Sequence, residues 1–510
     1  MSTAASTVIG LLERGAPDAT ALGAPGGVPL TYRSLRKLAL DMLATLNARG
    51  IGRNDRVAIV LDNGPEMAAA FLCVAAGATA APLNAAYRAD EYEFYLSDLK
   101  ARLLVVGRDM TSPAIDVANR LGIPLVRLAP APEKGAGSFA LEFPEGFPMQ
   151  HAENSGVAVP EDTALVLHTS GTTSRPKIVP LSQRNVCASA HNVSRTVEFS
   201  AADRGLNIMP LFHIHGLIAG ILAPLSAGGE VCCTTGFNAL KFFSWMGEVR
   251  PTWYTAVPTM HQTILTRAGK NLDIIKNGSL RFIRSSSSSL PPQVIRELEE
   301  TFGVPLIEAY GMTEAAHQMT SNPLPPAARK PGTVGRDSGP EVCVIDGDGN
   351  PLPPGAVGEI AIRGENVMPG YENNPKANAE AYAKSWFRTG DQGVMDAEGY
   401  VTITGRLKEI INRGGEKISP REVDEVLMDH PSVQQCVTFA VPHDKLGEEV
   451  AAAVVLREGA AASEKDLRDF AAIRLADFKV PRKILILAEI PKGATGKLQR
   501  IGLARKLGLA

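Results

Sequence analysis

Short runs of aliphatic and β-branched residues alternate with longer amphipathic stretches through most of this chain. Residues 56–61 read as a strand, 66–76 as a helix, 78–83 as a second strand and 90–99 as a second helix. Strands that recur between helices need crossover connections, so the pattern predicts an α/β fold of parallel sheets covered by helices. Apolar runs at 103–107, 164–168, 253–257 and 280–284 extend the series. Residues 128–160 are rich in Pro, Gly and Ala and read as a connecting loop. Beyond about residue 340 the strands shorten, and turn signals at Asp346-Gly-Asp-Gly-Asn350 and Asp396-Ala-Glu-Gly399 predict hairpins. The best domain boundary is Arg406-Leu407-Lys408. After it, a helix over 420–429, strands at 437–441 and 451–456 and a helix over 463–475 suffice for a small α+β unit. The expected division is therefore 1–405 and 406–510, and no internal repeat stands out.

Composition narrows the class. With 510 residues, 45% apolar and 21% charged, the chain can bury a large core and more than one. Lys plus Arg number 52 and Asp plus Glu 54, so the formal charge of −2 gives no general electrostatic drive toward nucleic acid or anionic membrane. The six cysteines, at 73, 187, 232, 233, 343 and 436, form no CxxC pair and suit reduced, buried thiols. The first residues lack the basic and apolar regions of an export signal, and charge returns at Glu13. The terminal Lys506-Leu-Gly-Leu-Ala510 is not a Ser-Lys-Leu-type address, and no window approaches the roughly 18 apolar residues of a membrane span. The expected setting is the cytoplasm, with no nucleic-acid or membrane partner. The oligomeric state stays open between a monomer and a weak homodimer.

Candidate chemistry begins at His168-Thr169-Ser170-Gly171-Thr172-Thr173-Ser174-Arg175-Pro176-Lys177. Hydroxyls and exposed backbone N–H groups can hydrogen-bond phosphate oxygens, Gly171 allows close approach, and Lys177 adds positive charge. The stretch is not a Walker A loop, because Lys177 follows proline and precedes Ile178. Further along come Glu308-Ala309-Tyr310-Gly311-Met312-Thr313-Glu314, Arg388-Thr389-Gly390-Asp391, Gly405-Arg406-Leu407-Lys408-Glu409 and Pro491-Lys492-Gly493-Ala494-Thr495-Gly496-Lys497.

In this order and at these separations the segments resemble the signature motifs of the adenylate-forming superfamily, which includes acyl-CoA synthetases, peptide-synthetase adenylation domains and luciferases. The resemblance covers essentially the whole chain. It implies a large N-terminal domain of helix-covered sheets with a β-barrel-like subdomain, and a small mobile C-terminal lid hinged near Lys408. It also implies ATP, Mg²⁺ and coenzyme A as reactants or cofactors, with adenylation of a carboxylate preceding thioester formation. By the same resemblance, Thr169, Ser170, Gly171, Thr172, Thr173 and Lys177 face the phosphates, Thr313 the α-phosphate, and Glu314 the Mg²⁺. Glu308, Ala309 and Tyr310 belong to the nucleotide segment, with Tyr310 suited to stack on adenine. Asp391 is assigned to the ribose hydroxyls, where a carboxylate can accept two O–H donors, and Arg406 adds a contact from the hinge side. Lys497 is the lid lysine that meets the acyl carboxylate and α-phosphate during adenylation. Gly414 and Gly415 would leave room for pantetheine.

The acid is read from three departures. Peptide-synthetase domains usually carry an aspartate in the segment matching Pro210-Leu-Phe-His213-Ile-His215, and His213 here disfavours an α-amino acid. A metal pair at His213 and His215 on one strand face lacks a third ligand and is not expected. Ser285-Ser-Ser-Ser-Ser289 replaces a segment that often holds glycine, making the pocket smaller and more polar. His317 follows three residues after Glu314. Such groups would be left unpaired by a fatty tail. In Ala81-Pro-Leu-Asn-Ala-Ala-Tyr87, Thr252-Trp-Tyr-Thr-Ala-Val-Pro258 and the His317 segment, the chain is closely similar to the oxalyl-CoA synthetase branch of the superfamily. That resemblance implies His213, Ser287 and His317 as oxalate ligands, with His213 and Thr313 beside Lys497 in the chemistry. Another short or medium acid, transfer to a carrier protein, or a nucleotide-binding relative without turnover are the alternatives.

Overall fold

The protein is described from a computed structural model covering residues 5–169, 176–491 and 498–510. A seven-stranded sheet runs Phe139–Glu142, Leu125–Pro130, Leu103–Gly107, Arg56–Val60, Thr79–Pro82, Thr163–His168 and Ile178–Ser182 in spatial order. Its interior pairs are parallel and its two outer pairs antiparallel. The connecting helices Pro65–Ala75 and Ala89–Leu99 fall where the 3.6-residue pattern puts them. Strands buried on both faces carry nearly continuous apolar runs, which is why the segments at 56, 79 and 103 were legible as strands.

Residues 128–160 depart from the expected loop. Leu125–Pro130 and Phe139–Glu142 form an antiparallel hairpin in the register Leu128↔Leu141, and the second of them closes the sheet edge. Four residues flanked by Gly and Pro give too short a period to stand out against turn signals.

The nine-stranded second sheet carries the candidate chemistry. Its strands Trp253–Ala256, Phe282–Ser285 and Leu306–Met312 lie side by side in parallel, and His317–Ser321 returns antiparallel to the last of them. The barrel-like part of the expectation corresponds to a five-stranded antiparallel sheet. In it Trp386–Met395 pairs Val357–Arg363 on one side and both Tyr382–Ala383 and Val401–Arg406 on the other. Asp346 and Asp396 each accept two backbone N–H bonds at 2.9 Å and close its turns.

A separate five-stranded sheet lies between Ile411 and Ile486, centred on Gly447–Leu456, with its own apolar core of Val423, Leu427, Val450, Val454 and Leu467. Helix Pro420–Met428 meets the preceding strand, where Arg421 donates to the Ile403 carbonyl at 2.8 Å. No described helix is long and apolar enough to cross a membrane.

Candidate active site

The neck of the phosphate-loop candidate is built by an antiparallel ladder. His168 pairs Ile178, the Thr169 N–H donates to the Lys177 carbonyl at 3.0 Å, and the Lys177 N–H donates to Thr169 Oγ1 at 3.2 Å. Thr169 and Lys177 are thus fixed at the two ends of the loop, while Ser170, Gly171, Thr172 and Thr173 lie outside the described residues. The Lys177 ammonium stands 4.3 Å from the centroid of the Tyr371 ring. The Tyr371 hydroxyl in turn donates to Glu314 Oε1 at 2.8 Å. Burial pushes the Glu314 carboxyl above its ordinary range, against the pull of the Tyr371 bond and of the Arg406 and Lys177 charges. A bound cation would relieve the same desolvation. One buried carboxylate suits Mg²⁺, which keeps phosphate and water oxygens as most of its ligands. Among the described residues no three His, Cys, Asp or Glu converge to hold an ion by themselves.

Glu308, Ala309 and Tyr310 run along Leu306–Met312, and Thr313 opens the single turn Thr313–Ala315 that carries Glu314. Glu308 is buried, accepts the Gly332 N–H at 3.2 Å, and is pushed up to about 8 by burial. Asp391 is 4% exposed and lies opposite Arg406 in the antiparallel ladder, with their ion pair at 3.0 Å. Tyr310 is buried, and its hydroxyl donates to the other oxygen of Asp391. Two residues assigned to the nucleotide are therefore bonded to each other, and the tyrosine ring packs chiefly into the core.

The acid-pocket candidates cluster at the ends of the three parallel strands. Ser287 follows strand Phe282–Ser285, and its Oγ lies 3.0 Å from His215 Nδ1. The His215 and His317 rings stack, with centroids 4.8 Å apart and planes 18° apart. His215 Nε2 is 2.7 Å from Thr255 Oγ1. Behind both rings stands Arg284, which is 0% exposed. Its Nη2 donates to His317 Nε2 at 3.0 Å and to Gln318 Oε1 at 3.1 Å, and its Nη1 lies 3.4 Å from His215 Nε2. Arg284 forms no ion pair among the described residues, and burial alone lowers its guanidinium to about 9, still charged at neutral pH.

The backbone here is unusual. Ser287, Ala316 and His317 have φ of +74°, +46° and +98°, a region that non-glycine residues rarely adopt and that concentrates at functional sites. Gly311 makes the close approach possible, since a Cβ there would fall 1.6 Å from the His317 carbonyl oxygen. His213 stands two residues before His215, half-buried, with its ring centroid 4.5 Å from that of Phe212. The segment is not the strand on which a metal pair was considered. Residues His215–Leu222 form a π-helix, apolar all round beyond His215 and packed so tightly that a Cβ on Gly216 would meet the Pro210 carbonyl at 2.2 Å.

On the C-terminal side, Lys408 is exposed in the turn between Val401–Arg406 and Ile411–Arg413. Gly414 and Gly415, with φ of +59° and +102°, make the exposed hairpin turn to Glu416–Ile418, a backbone conformation that favours glycine. Lys497 lies outside the described residues. Arg500, three positions later, pairs with Asp424 and approaches Glu409, next to Lys408, at 4.0 Å.

Sequence reasoning missed Arg284, His215 as a member of the pocket, and Tyr371. The signals were present but ordinary: an arginine ending a buried strand, a second histidine opening an apolar run, and a tyrosine in Pro369-Gly-Tyr371.

Two helix-covered sheets, the paired strand ends that carry Thr169 and Lys177, and a buried carboxylate–tyrosine–lysine chain are the frame of a nucleotide-binding enzyme. The chain belongs to the AMP-binding enzyme family. That family's model matches residues 13–372, and the model of its C-terminal domain matches 422–497. The chain is 45% identical over 503 residues to an oxalate–CoA ligase of Arabidopsis thaliana, covering 97% of each. To an oxalate–CoA ligase of Saccharomyces cerevisiae it is 43% identical, covering 92% of this chain and 91% of that one. Among solved structures, ATP-bound MatB from Rhodopseudomonas palustris superimposes with a TM-score of 0.87 over 98% of each chain at 28% identity.

Proposed function

We propose that this chain, an ATP-dependent acid–thiol ligase of the AMP-binding family, takes oxalate as its acid and converts oxalate, ATP and CoA to oxalyl-CoA, AMP and diphosphate. The observation that carries the choice of acid is the buried Arg284, held without a carboxylate partner among the described residues, behind His215, His317 and Ser287. A fatty tail offers nothing to such a cluster, whereas the second carboxylate of a small diacid matches its charge and donors. The identity to two oxalate–CoA ligases supports the same reading.

The chemistry runs in two displacements. An oxalate oxygen attacks the α-phosphorus of ATP, an O–P bond forms, and diphosphate leaves with the electrons of the broken bond. The CoA thiolate, its proton lost to solvent, then attacks the acyl carbon and AMP leaves. Thr169, Lys177 and the intervening loop would hold the phosphates, Thr313 the α-phosphate, and Asp391 with Arg406 the ribose. Mg²⁺ arriving with the nucleotide would be held by Glu314 and supplies neutralisation of phosphate charge. Lys497 would stabilise charge in the first step and withdraw before the second. A unit of residues 406–510 turning about Lys408 against residues 1–405 allows one site to serve both steps, with Gly414 and Gly415 beside the thiol path.

The reading is tested by diphosphate release with Mg²⁺, ATP and a panel of acids. Oxalate should be turned over far faster than acetate or octanoate, and thioester should form only when CoA is present. Octanoate turning over as fast as oxalate would overturn the acid assignment.

A further inference from the structure

A guanidinium can only donate hydrogen bonds. Where Arg284 Nη2 stands 3.0 Å from His317 Nε2, that nitrogen must be the acceptor, so the ring carries its proton on Nδ1. The same logic holds at His215. Arg284 Nη1 lies 3.4 Å from Nε2, and Thr255 Oγ1 lies 2.7 Å from the same atom. With Nε2 accepting, His215 Nδ1–H donates to Ser287 Oγ at 3.0 Å, and the serine hydrogen is directed onward. The stacked rings, 4.8 Å apart, hold the two relays parallel. Arg284 Nε and the hydroxyls of Ser285 and Ser286 are buried without a hydrogen-bond partner among the described residues. Groups of that kind cost stability in a folded core, so their concentration here marks a site built for an anion rather than for packing.

Resting on the proposed reading of this pocket as the acid site, we propose that Arg284 is the specificity-determining positioning residue. It fixes the tautomers of His215 and His317 so that Ser287, oriented by His215, and the Nδ1–H of His317 present donors to the remote carboxylate, and its charge selects dianionic over monoanionic acids. Arg284 acts through its neighbours, since it is 0% exposed and its side-chain hydrogen bonds run to His215, His317, Thr255 and Gln318.

The test compares oxalate with oxamate, which has nearly the same shape but carries a neutral amide in place of one carboxylate. Diphosphate release is measured for wild type, Arg284→Met and Arg284→Lys, with the dissociation constant for ATP as the control for folding. In wild type oxalate should be strongly preferred. Arg284→Met should raise KM for oxalate by about 10²-fold, the scale of a lost charge-assisted contact, lower the oxalate-to-oxamate ratio of kcat/KM well below that of wild type, and leave ATP affinity nearly unchanged. Arg284→Lys should restore a substantial part of the preference. If Arg284→Met does not fold, Arg284→Gln, which keeps amide donors without charge, takes its place. A Met or Gln variant that keeps the wild-type oxalate-to-oxamate ratio overturns the proposal while leaving the oxalate reading intact. So does equal loss of oxalate turnover and ATP binding, the mark of a structural role. A wild-type enzyme with no preference between the two acids overturns the oxalate reading itself, and the proposal with it.

Discussion

Removing one hydroxyl tests whether Glu314 serves the metal. The Tyr371 hydroxyl donates to Glu314 Oε1 at 2.8 Å, and the face of the same ring receives the Lys177 ammonium at 4.3 Å. Tyr371→Phe deletes the bond and keeps the ring, so loop geometry should survive. A hydrogen bond to a buried charged group contributes about 1.5–3 kcal/mol. Taking about 2 kcal/mol, the change in an equilibrium that depends on the ionised carboxylate is about 30-fold. Burial already raises the proton affinity of Glu314, and the Tyr371 bond is the largest influence opposing it. Without it the carboxyl titrates higher still, and proton and Mg²⁺ compete for the same oxygen. In diphosphate-release assays at fixed ATP, the Mg²⁺ concentration for half-maximal rate should rise by up to about 30-fold, most at the acid end of the range. The acid limb of the pH–rate profile should move to higher pH, while KM for oxalate stays close to wild type. A variant with reduced turnover but wild-type Mg²⁺ dependence and acid limb would refute the reasoning.

Two further outcomes are expected. Lys497→Ala should slow adenylation by at least about 10²-fold while thioester formation from prepared oxalyl-AMP and CoA stays within about an order of magnitude; equal loss in both assays would refute the withdrawal of Lys497 between steps. Glu308 is held up at about 8 by burial, so the native state binds this proton more tightly than the unfolded chain, and stability falls as pH rises from roughly 4.3 toward that value. Glu308→Gln, which can still accept the Gly332 bond, should therefore raise Tm more at pH 8 than at pH 5, and a shift equal at both would refute the assignment.

How much of this was legible in the chain depends on the range of the interaction that fixes each part. The parallel strands at 56, 79, 103 and 253 announce themselves because burial on both faces is written into consecutive residues. Asp391 and Arg406 were both singled out from their motifs, and the ladder sets them opposite each other. Tyr310 reads from its motif as a residue suited to stack on adenine, and its hydroxyl bond to Asp391, across 81 residues, is a partnership no local pattern encodes. Arg284 is the sharper case. An arginine at a strand end ordinarily reaches solvent along its aliphatic stem, and only the neighbouring strands Trp253–Ala256 and Leu306–Met312, with the return strand that follows, close it in. Nor does the sequence at Gly311 announce that its missing Cβ makes room for the His317 carbonyl.

A diacid of two carbons forces this kind of pocket. It has almost no apolar surface, so the roughly 25 cal/mol per Å² that drives recognition of larger acids is scarcely available. Affinity must come from charge and hydrogen bonds, and these gain strength only where water is excluded. A protonated imidazole facing the pocket would supply charge, but the supply would vary with pH across the physiological range. A guanidinium placed one hydrogen bond behind neutral imidazoles avoids that, since at about 9 it remains charged while the rings supply directed donors. The arrangement is costly to fold: a buried cation with no ion pair among the described residues and three non-glycine residues at positive φ sit within one cluster. Gly311 and the tightly packed π-helix hold that geometry from two sides, so the strain is fixed before the acid arrives and is not imposed by it. The order of cause is therefore from substrate to scaffold: the smaller and more charged the acid, the more its recognition must be stored in the fold.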